Sequence, residues 1–255
     1  MANRGDIPRV VRAGLDSSGP VDLVVLPEAS QVDFGSGQIP LGPLAEPLDG
    51  PFVQMLTDVA VEAGAVVVAG MFEATDTDRP FNTLVALDPD GQLVAAYRKV
   101  HLYDAFGYRE SDLLSAGEPA AVTLRVPSAG SQPMTVGLQT CYDLRFPEQS
   151  RALVDAGADL LVIPSAWLRG PGKEHHWATL LAARAIENTV HVAGAAKADQ
   201  RYCGLSRLVD PMGEVLAGLG DLDGATTGQV DPSRTAQVRQ INPSLANRRW
   251  RVVPG

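Results

Sequence analysis

The sequence predicts an α/β protein whose mixed β-sheets are covered by helices, with residues 1–255 forming a single domain. Three observations predict it. Apolar stripes at helical spacing alternate with short buried-strand runs, a D-P-D-G turn joins two strand-like runs, and no linker, fixed-period repeat or low-complexity segment interrupts the pattern. At 255 residues, 45% hydrophobic and 20% charged, the chain can bury a sizeable core and has the balance of an ordinary globular domain.

Ile7, Val10, Val11 and Leu15 recur at helical spacing and predict a first helix, after which D-L-V-V-L-P-E (22–28) is a short buried strand. Phe52, Leu56, Val59, Ala60 and Ala63 stripe a second helix over 51–63, followed by the strand A-V-V-V-A-G-M (65–71). F-N-T-L-V-A-L (81–87) and Q-L-V-A-A-Y-R (92–98) flank D-P-D-G, whose residues suit a tight hairpin turn. A-V-T-L-R-V (121–126) and M-T-V-G-L-Q-T (134–140) form a further strand pair across the Pro/Ser/Gly-rich loop at 127–133. P-E-Q-S-R-A-L-V-D-A-G (147–157) has proline at a helix start and glycine just past its end. Strand 159–164, helix 174–188 and strand 190–196 continue the alternation. Strands are expected near 203–217 and again at 225–231, then a short helix and a tail.

Composition narrows the function. A net charge of -9 repels phosphate backbones and anionic membrane surfaces, so neither nucleic acid nor a membrane is an expected partner. No apolar run approaches the ~20 residues needed to span a bilayer, and the opening M-A-N-R-G-D-I lacks the apolar stretch of a signal peptide. A cytoplasmic location is expected. In such a reducing compartment Cys141 and Cys203 are free thiols. The basic cluster N-R-R-W-R (247–251) reads as a solvated or subunit-contacting tail, with an anion site as the alternative.

The chemistry lies where strands finish. Three buried runs end on ionisable residues: L-V-V-L-P-E on Glu28, L-V-A-A-Y-R-K on Lys99 and T-V-G-L-Q-T-C on Cys141. Ligands of α/β sheets bind outside the carboxyl ends of strands, so these three share a site if the strands are neighbours. Each alone has a bland reading: an inert buried thiol, a solvated loop glutamate, an exposed lysine. Together they are complementary, because a thiol with a pKa of about 8.5 needs a base or a cation beside it to react at neutral pH. Cys203 has no such company and reads as a small hydrophobe.

Competing chemistries lack parts. A Cys/His arrangement has His101 as its best base, two residues beyond Lys99, though a structural hydrogen bond explains that histidine equally well. His175 and His176 are adjacent, so a helix points them to different faces and they do not chelate one metal. No zinc spacing occurs elsewhere. G-L-S-R-L (204–208) lacks the second glycine of a nucleophile elbow, and no nucleotide-binding glycine loop is present. Neither a metal nor a cofactor is expected.

L-P-E (26–28), Y-R-K-V-H-L (97–102) and C-Y-D-L-R-F-P-E (141–148) resemble, in order, the three signature blocks of the nitrilase superfamily of carbon–nitrogen hydrolases. G-Y-R-E-S-D (107–112), P-S-A-W (164–167), H-W (176–177), R-A-I-E-N (184–188) and V-D-P-M-G-E-V (209–215) extend the resemblance over nearly the whole chain. It implies a four-layer α-β-β-α sandwich, assembled into homodimers or larger homo-oligomers through helices near the cysteine strand. It also implies Cys141 as nucleophile, Glu28 as general base, Lys99 as oxyanion stabiliser with the backbone N–H of Tyr142, and Glu110 as a second pocket glutamate. The blocks around the cysteine are similar to the amidase branches, deaminated glutathione amidase and ω-amidase. True nitrilases usually carry tryptophan after the cysteine, where this chain has Tyr142.

Substrates of those branches are small linear amides bearing a carboxylate, so a pocket cation is expected, with Arg169 and Lys173 of L-R-G-P-G-K (168–173) as candidates against a reading as solvated loop charge. Phe106, Tyr108 and Trp167 are candidate pocket walls or core residues. An N-carbamoyl amidohydrolase and an inactive binding protein of the same fold are the alternatives, the latter disfavoured by the full set of reactive residues. The resemblance also implies a short apolar strand of the K-I-A-L-A-Q type before the first helix, which this chain lacks. The expectation is that roughly 15–25 residues precede Met1, or that an interior strand is absent and the 255-residue form folds poorly.

Overall fold

Two β-sheets lie face to face with a helical layer outside each, in a computed structural model that describes residues 4–32, 39–128 and 132–253. Residues 129–131 of the expected 127–133 loop fall outside that set. The first half of the chain forms α1 (Ile7–Ser18), β1 (Leu23–Val25), α2 (Pro51–Ala63), β2 (Val66–Glu73), β3 (Phe81–Leu87) and β4 (Leu93–Arg98). β1 pairs parallel to β2, and β3 and β4 follow antiparallel, giving the order β1-β2-β3-β4. A two-stranded ribbon, β5 (Asp104–Ala105) and β6 (Tyr108–Arg109), then leads to β7 (Thr123–Val126) and β8 (Met134–Leu138). The second half adds α3 (Pro147–Asp155), β9 (Leu160–Ser165), α4 (Lys173–Asn188), β10 (His191–Ala196), β11 (Arg207–Val209), β12 (Val215–Gly218) and α5 (Pro232–Ile241). Its sheet runs β12-β11-β10-β9-β8-β7, with β8, β9 and β10 parallel.

Alternation along the strands builds the layers. Val67, Ala69 and Met71 of β2 face α1 and α2, packing on Ile7, Val11, Phe52 and Leu56, whereas Val66 and Val68 face the opposite sheet. On β9, Leu161 and Ile163 pack under α3 and α4 with Leu153, Trp177 and Leu181, while Leu160 and Val162 join the core between the sheets. This is the expected four-layer sandwich. The D-P-D-G turn closes the β3–β4 hairpin, with Asp88 Oδ1 accepting the N–H groups of Asp90 (3.0 Å) and Gln92 (2.8 Å) and Gly91 at φ +79°.

One expectation changes. Residues 225–231 form no strand: they cross the face of β11 and β12, where a Cβ on Gly228 would stand 2.8 Å from Leu208 Cδ2 and 3.0 Å from Ala217 Cβ. A segment lying over side chains has no ladder edge to pair with, although its Val230 still contributes to the core between the sheets. Among the described residues no strand precedes α1, and β1 is an edge strand of the first sheet. No helix among them is long and apolar enough to cross a membrane.

Candidate active site

Glu28, Lys99, Glu110 and Cys141 converge on one pocket of about 140 Å³, but not by neighbouring strands. β1 and β4 are opposite edges of the first sheet, and β8 belongs to the second. The gap closes because residues 26–31 leave β1 and cross the end of β2: Gly70 N–H donates to Pro27 O (3.4 Å), and Gln31 N–H to Gly70 O (3.3 Å). A Cβ on Gly70 would sit 2.5 Å from Ala29 N and 2.8 Å from Glu28 Cα, so only glycine admits this crossing. Glu28 thereby reaches β3, where Asn82 Nδ2 donates to its Oε1 (2.7 Å), and the residue after β4, where Lys99 Nζ donates to the same oxygen (3.0 Å). Its Oε2 accepts the Ala166 N–H from beyond β9 (2.7 Å), tying the two sheets together at the site.

Lys99 is 2% exposed and also donates to Glu110 Oε2 (2.9 Å), which is fixed in turn by the Tyr103 N–H (2.6 Å). Burial disfavours the charge on Lys99, but Glu110, Glu28 and Cys141 outweigh it and hold the ammonium well above the ordinary lysine range. Burial likewise pushes Glu28 upward, yet Lys99 and the Ala166, Asn82 donors bring it below the ordinary glutamate value. For Glu110 burial prevails, with Glu28 adding to it against Lys99, and its carboxyl titrates high. Glu28 is therefore the carboxylate kept ionised and available as a base.

Cys141 does not finish its strand. The β8 ladder stops at Leu138, and Cys141 opens a 3₁₀ turn over Cys141–Arg145 with φ +47°, a left-handed conformation that is strained for a side chain. Asp143, fully buried, holds that turn by accepting the Thr140 N–H (2.9 Å) and the Tyr97 hydroxyl (2.6 Å). Its other oxygen accepts the His101 N–H (3.1 Å) and contacts His101 Nδ1 (2.8 Å), so one carboxylate pins the cysteine turn to the segment carrying Lys99. His101 stacks on Phe146 at 3.7 Å and does not line the pocket, which suits the structural reading. Burial and then the Glu28 charge raise the Cys141 thiol far above its ordinary value, so the resting sulfur is protonated. Cys203, 0% exposed, is raised by burial to about 12 and points at Gly204 O away from the pocket.

Of the expected walls, Tyr108, Tyr142, Trp167 and Lys173 line the pocket. Phe106 does not: it is 68% exposed, at φ +54°, with its ring capping Lys173 Nζ at 4.5 Å. Arg169 is also turned away, because Asp199 O (3.0 Å) and Asp221 (3.4 Å) hold its guanidinium. Arg145, four residues past Cys141 in the same block, lines the pocket where Arg169 does not. Arg145 lies over Trp167 at 4.8 Å and has a buried Nε without a hydrogen-bond partner. Among the described residues neither Arg145 nor Lys173 pairs with a carboxylate. Arg201 and Tyr202 complete the mouth. Among the same residues no group of three or more His, Cys, Asp or Glu could hold a metal ion.

A thiol, an ionised carboxylate and an ammonium in one pocket of an α-β-β-α sandwich are the equipment of a thiol-dependent hydrolase of carbon–nitrogen bonds. Residues 9–240 match the carbon-nitrogen hydrolase family, and the chain belongs to it. It is 40% identical over 230 residues to deaminated glutathione amidase of Escherichia coli O157:H7, covering 90% of this chain and 86% of that one. It is 34% identical over 237 residues to the human omega-amidase NIT2, covering 89% and 83%. Among solved structures, Saccharomyces cerevisiae Nit3, a member of branch 10 of the nitrilase superfamily, superposes with a TM-score of 0.85 at 28% identity, covering 98% of this chain and 91% of that one.

Proposed function

We propose that this protein is a cytoplasmic thiol amidase that hydrolyses small linear amides bearing a carboxylate, through a thioester on Cys141. The observation that carries the reading is the Glu28–Lys99–Glu110 cluster beside a protonated thiol in a single pocket. Glu28 takes the thiol proton as Sγ attacks the amide carbon. The oxyanion forms between the Lys99 ammonium and the Tyr142 N–H, which stands at the start of the 3₁₀ turn where N–H groups lack a partner within the turn. Lys99 Nζ meets three carboxylate oxygens at rest, Glu28 Oε1 (3.0 Å), Glu110 Oε1 (3.1 Å) and Glu110 Oε2 (2.9 Å), so giving up one of the two Glu110 oxygens frees a donor for the oxyanion. Glu28 returns its proton to the departing nitrogen, and ammonia leaves. It then deprotonates the water that attacks the thioester, and the acid and the free thiol are released. Glu110 orients Lys99 and balances its charge.

Lys99→Met is expected to lower kcat by about 10²–10³ on charged and neutral amides alike, since the oxyanion forms in both. Because it leaves Glu28 and Glu110 buried without their cation, it is also expected to cost about 3–5 kcal/mol of stability in chemical denaturation. A loss confined to KM, and only for carboxylate-bearing amides, would make Lys99 an anchor instead.

The substrate carboxylate is assigned to Arg145 and Lys173, whose charges face the pocket without acidic partners among the described residues. Ammonia release from α-ketoglutaramate, deaminated glutathione and a neutral amide of similar length tests this. Arg145→Met is expected to raise KM for the two acids about tenfold or more, with kcat held and the neutral amide unaffected. An equal effect on all three removes the assignment. The same resemblance supports a homo-oligomer formed through α3 and α4, which analytical ultracentrifugation checks.

A further inference from the structure

Ser165 ends β9 with its side chain 0% exposed and its Oγ without a hydrogen-bond partner among the described residues. Unpaired buried hydroxyls are rare because burial strips them of water. Its carbonyl, by contrast, accepts the Lys197 N–H (2.9 Å), and the next N–H along the chain, of Ala166, goes to Glu28 (2.7 Å).

Register places this hydroxyl beside the thiol. β8 and β9 pair in parallel through Val136↔Leu160, Gly137↔Leu161 and Leu138↔Val162, and the Gln139 N–H still donates to Val162 O (3.1 Å). Past that pair the chain leaves the ladder and turns at Cys141, and the Ser165 hydroxyl remains close enough to act on the Cys141 sulfur. Alternation fixes the side: Leu161 and Ile163 share their cluster with Cys141 under the outer helices, and Ser165 has their parity, while Leu160 and Val162 point into the core between the sheets.

We propose that Ser165 is a further catalytic residue, donating its Oγ–H to the Cys141 sulfur whenever that sulfur carries negative charge. The inference rests on Cys141 being the nucleophile. In attack, the thiol proton passes to Glu28 and the S–C bond forms; Ser165 keeps its own proton and stabilises the charge in transit. In thioester breakdown, the C–S bond breaks with its electron pair on sulfur, and Ser165 holds that thiolate until Glu28 returns the proton. The hydroxyl has no well-formed hydrogen bond at rest because a protonated thiol is a weak acceptor, whereas the thiolate of turnover is a strong one. Consistently, burial and Glu28 oppose ionisation of Cys141, whereas Lys99 and the Ser165 hydroxyl favour it.

Alkylation of Cys141 by iodoacetamide, followed by peptide mass spectrometry across the neutral-to-alkaline range, reads this step without substrate turnover. Hydrogen bonds to charged groups are strong enough that Ser165→Ala is expected to slow alkylation at neutral pH about tenfold and to move its pH profile up by about one unit. kcat/KM is expected to fall by a similar factor, and Ser165→Thr, which retains the hydroxyl, to restore both to within about threefold. Ser165→Gly, also without a hydroxyl, replaces the alanine variant should that one not fold. An unchanged alkylation profile in a folded hydroxyl-free variant overturns the proposal, even where turnover is lost, because a merely structural role leaves sulfur ionisation untouched. Failure of the wild-type protein to alkylate at Cys141 while losing activity elsewhere would instead overturn the nucleophile assignment itself.

Discussion

Cys141→Ala is expected to reduce amide turnover by on the order of 10⁴-fold or more while leaving the fold intact. The size follows from what is removed: without the nucleophile no thioester forms, and only positioning and the oxyanion donors remain. The fold survives because the sulfur lies at the pocket wall, and the turn is held by Asp143, not by the thiol. Cys203→Ala is the matched control. That sulfur is buried with Trp177 and Leu181 and faces away from Glu28, so activity is expected to stay within about twofold of wild type while stability falls by about 1–2 kcal/mol. Steady-state ammonia release and thermal melting of both variants check this. Retained hydrolysis by the Cys141 variant, or loss of it in the Cys203 variant, reverses the assignment.

Glu28→Gln is expected to lower kcat by about 10²–10⁴, the range over which positioned acid–base groups act. The carboxamide keeps the shape, but its NH2 group meets either the Ala166 N–H or the Asn82 and Lys99 donors, so no orientation satisfies all three. More important, it cannot take the proton from a thiol that burial keeps un-ionised. His101→Asn is expected to cost less than about tenfold, since the ring braces Asp143 outside the pocket. Were the histidine change the more damaging, a Cys/His mechanism would return. The pH dependence carries the same sign. Glu28 titrates below the ordinary range, so its base form persists as pH falls to that range and kcat/KM declines only beneath it, with the limb belonging to the coupled Glu28–Lys99–Glu110 cluster. Stability from Glu28 behaves likewise, being present above its unfolded value of about 4.3 and lost as pH drops through the folded one.

Much of this was legible in the sequence where local rules decide. The stripes of α1 and α2, the D-P-D-G hairpin and the Pro-to-Gly span of α3 rest on periodicity and turn chemistry, and the structure keeps them. Glu28, Lys99 and Cys141 were legible as a chemical set, but not how they meet. That depends on Gly70, which lets residues 26–31 cross β2, and on a left-handed residue at Cys141 that no propensity announces. Arg145 was missed although it sits in the cysteine block. Spacing in a short turn does not say which way a long side chain leans, and Asp199 and Asp221, which draw Arg169 away, are distant in sequence. The strand expected at 225–231 instead lies over the side chains of β11 and β12, a placement that its own residues do not announce.

The most direct test is to look for the thioester. The protein is mixed with amide substrate, quenched in acid within the first turnovers and digested, and the peptides containing Cys141 and Cys203 are weighed, in wild type and in the Glu110→Gln variant, which keeps both Glu28 and the thiol. Covalent catalysis at this pocket predicts a mass increment equal to the substrate less ammonia, on Cys141 alone and lost on treatment with hydroxylamine. Turnover proceeding with Cys141 unmodified in both proteins, or the increment appearing on Cys203, would contradict it.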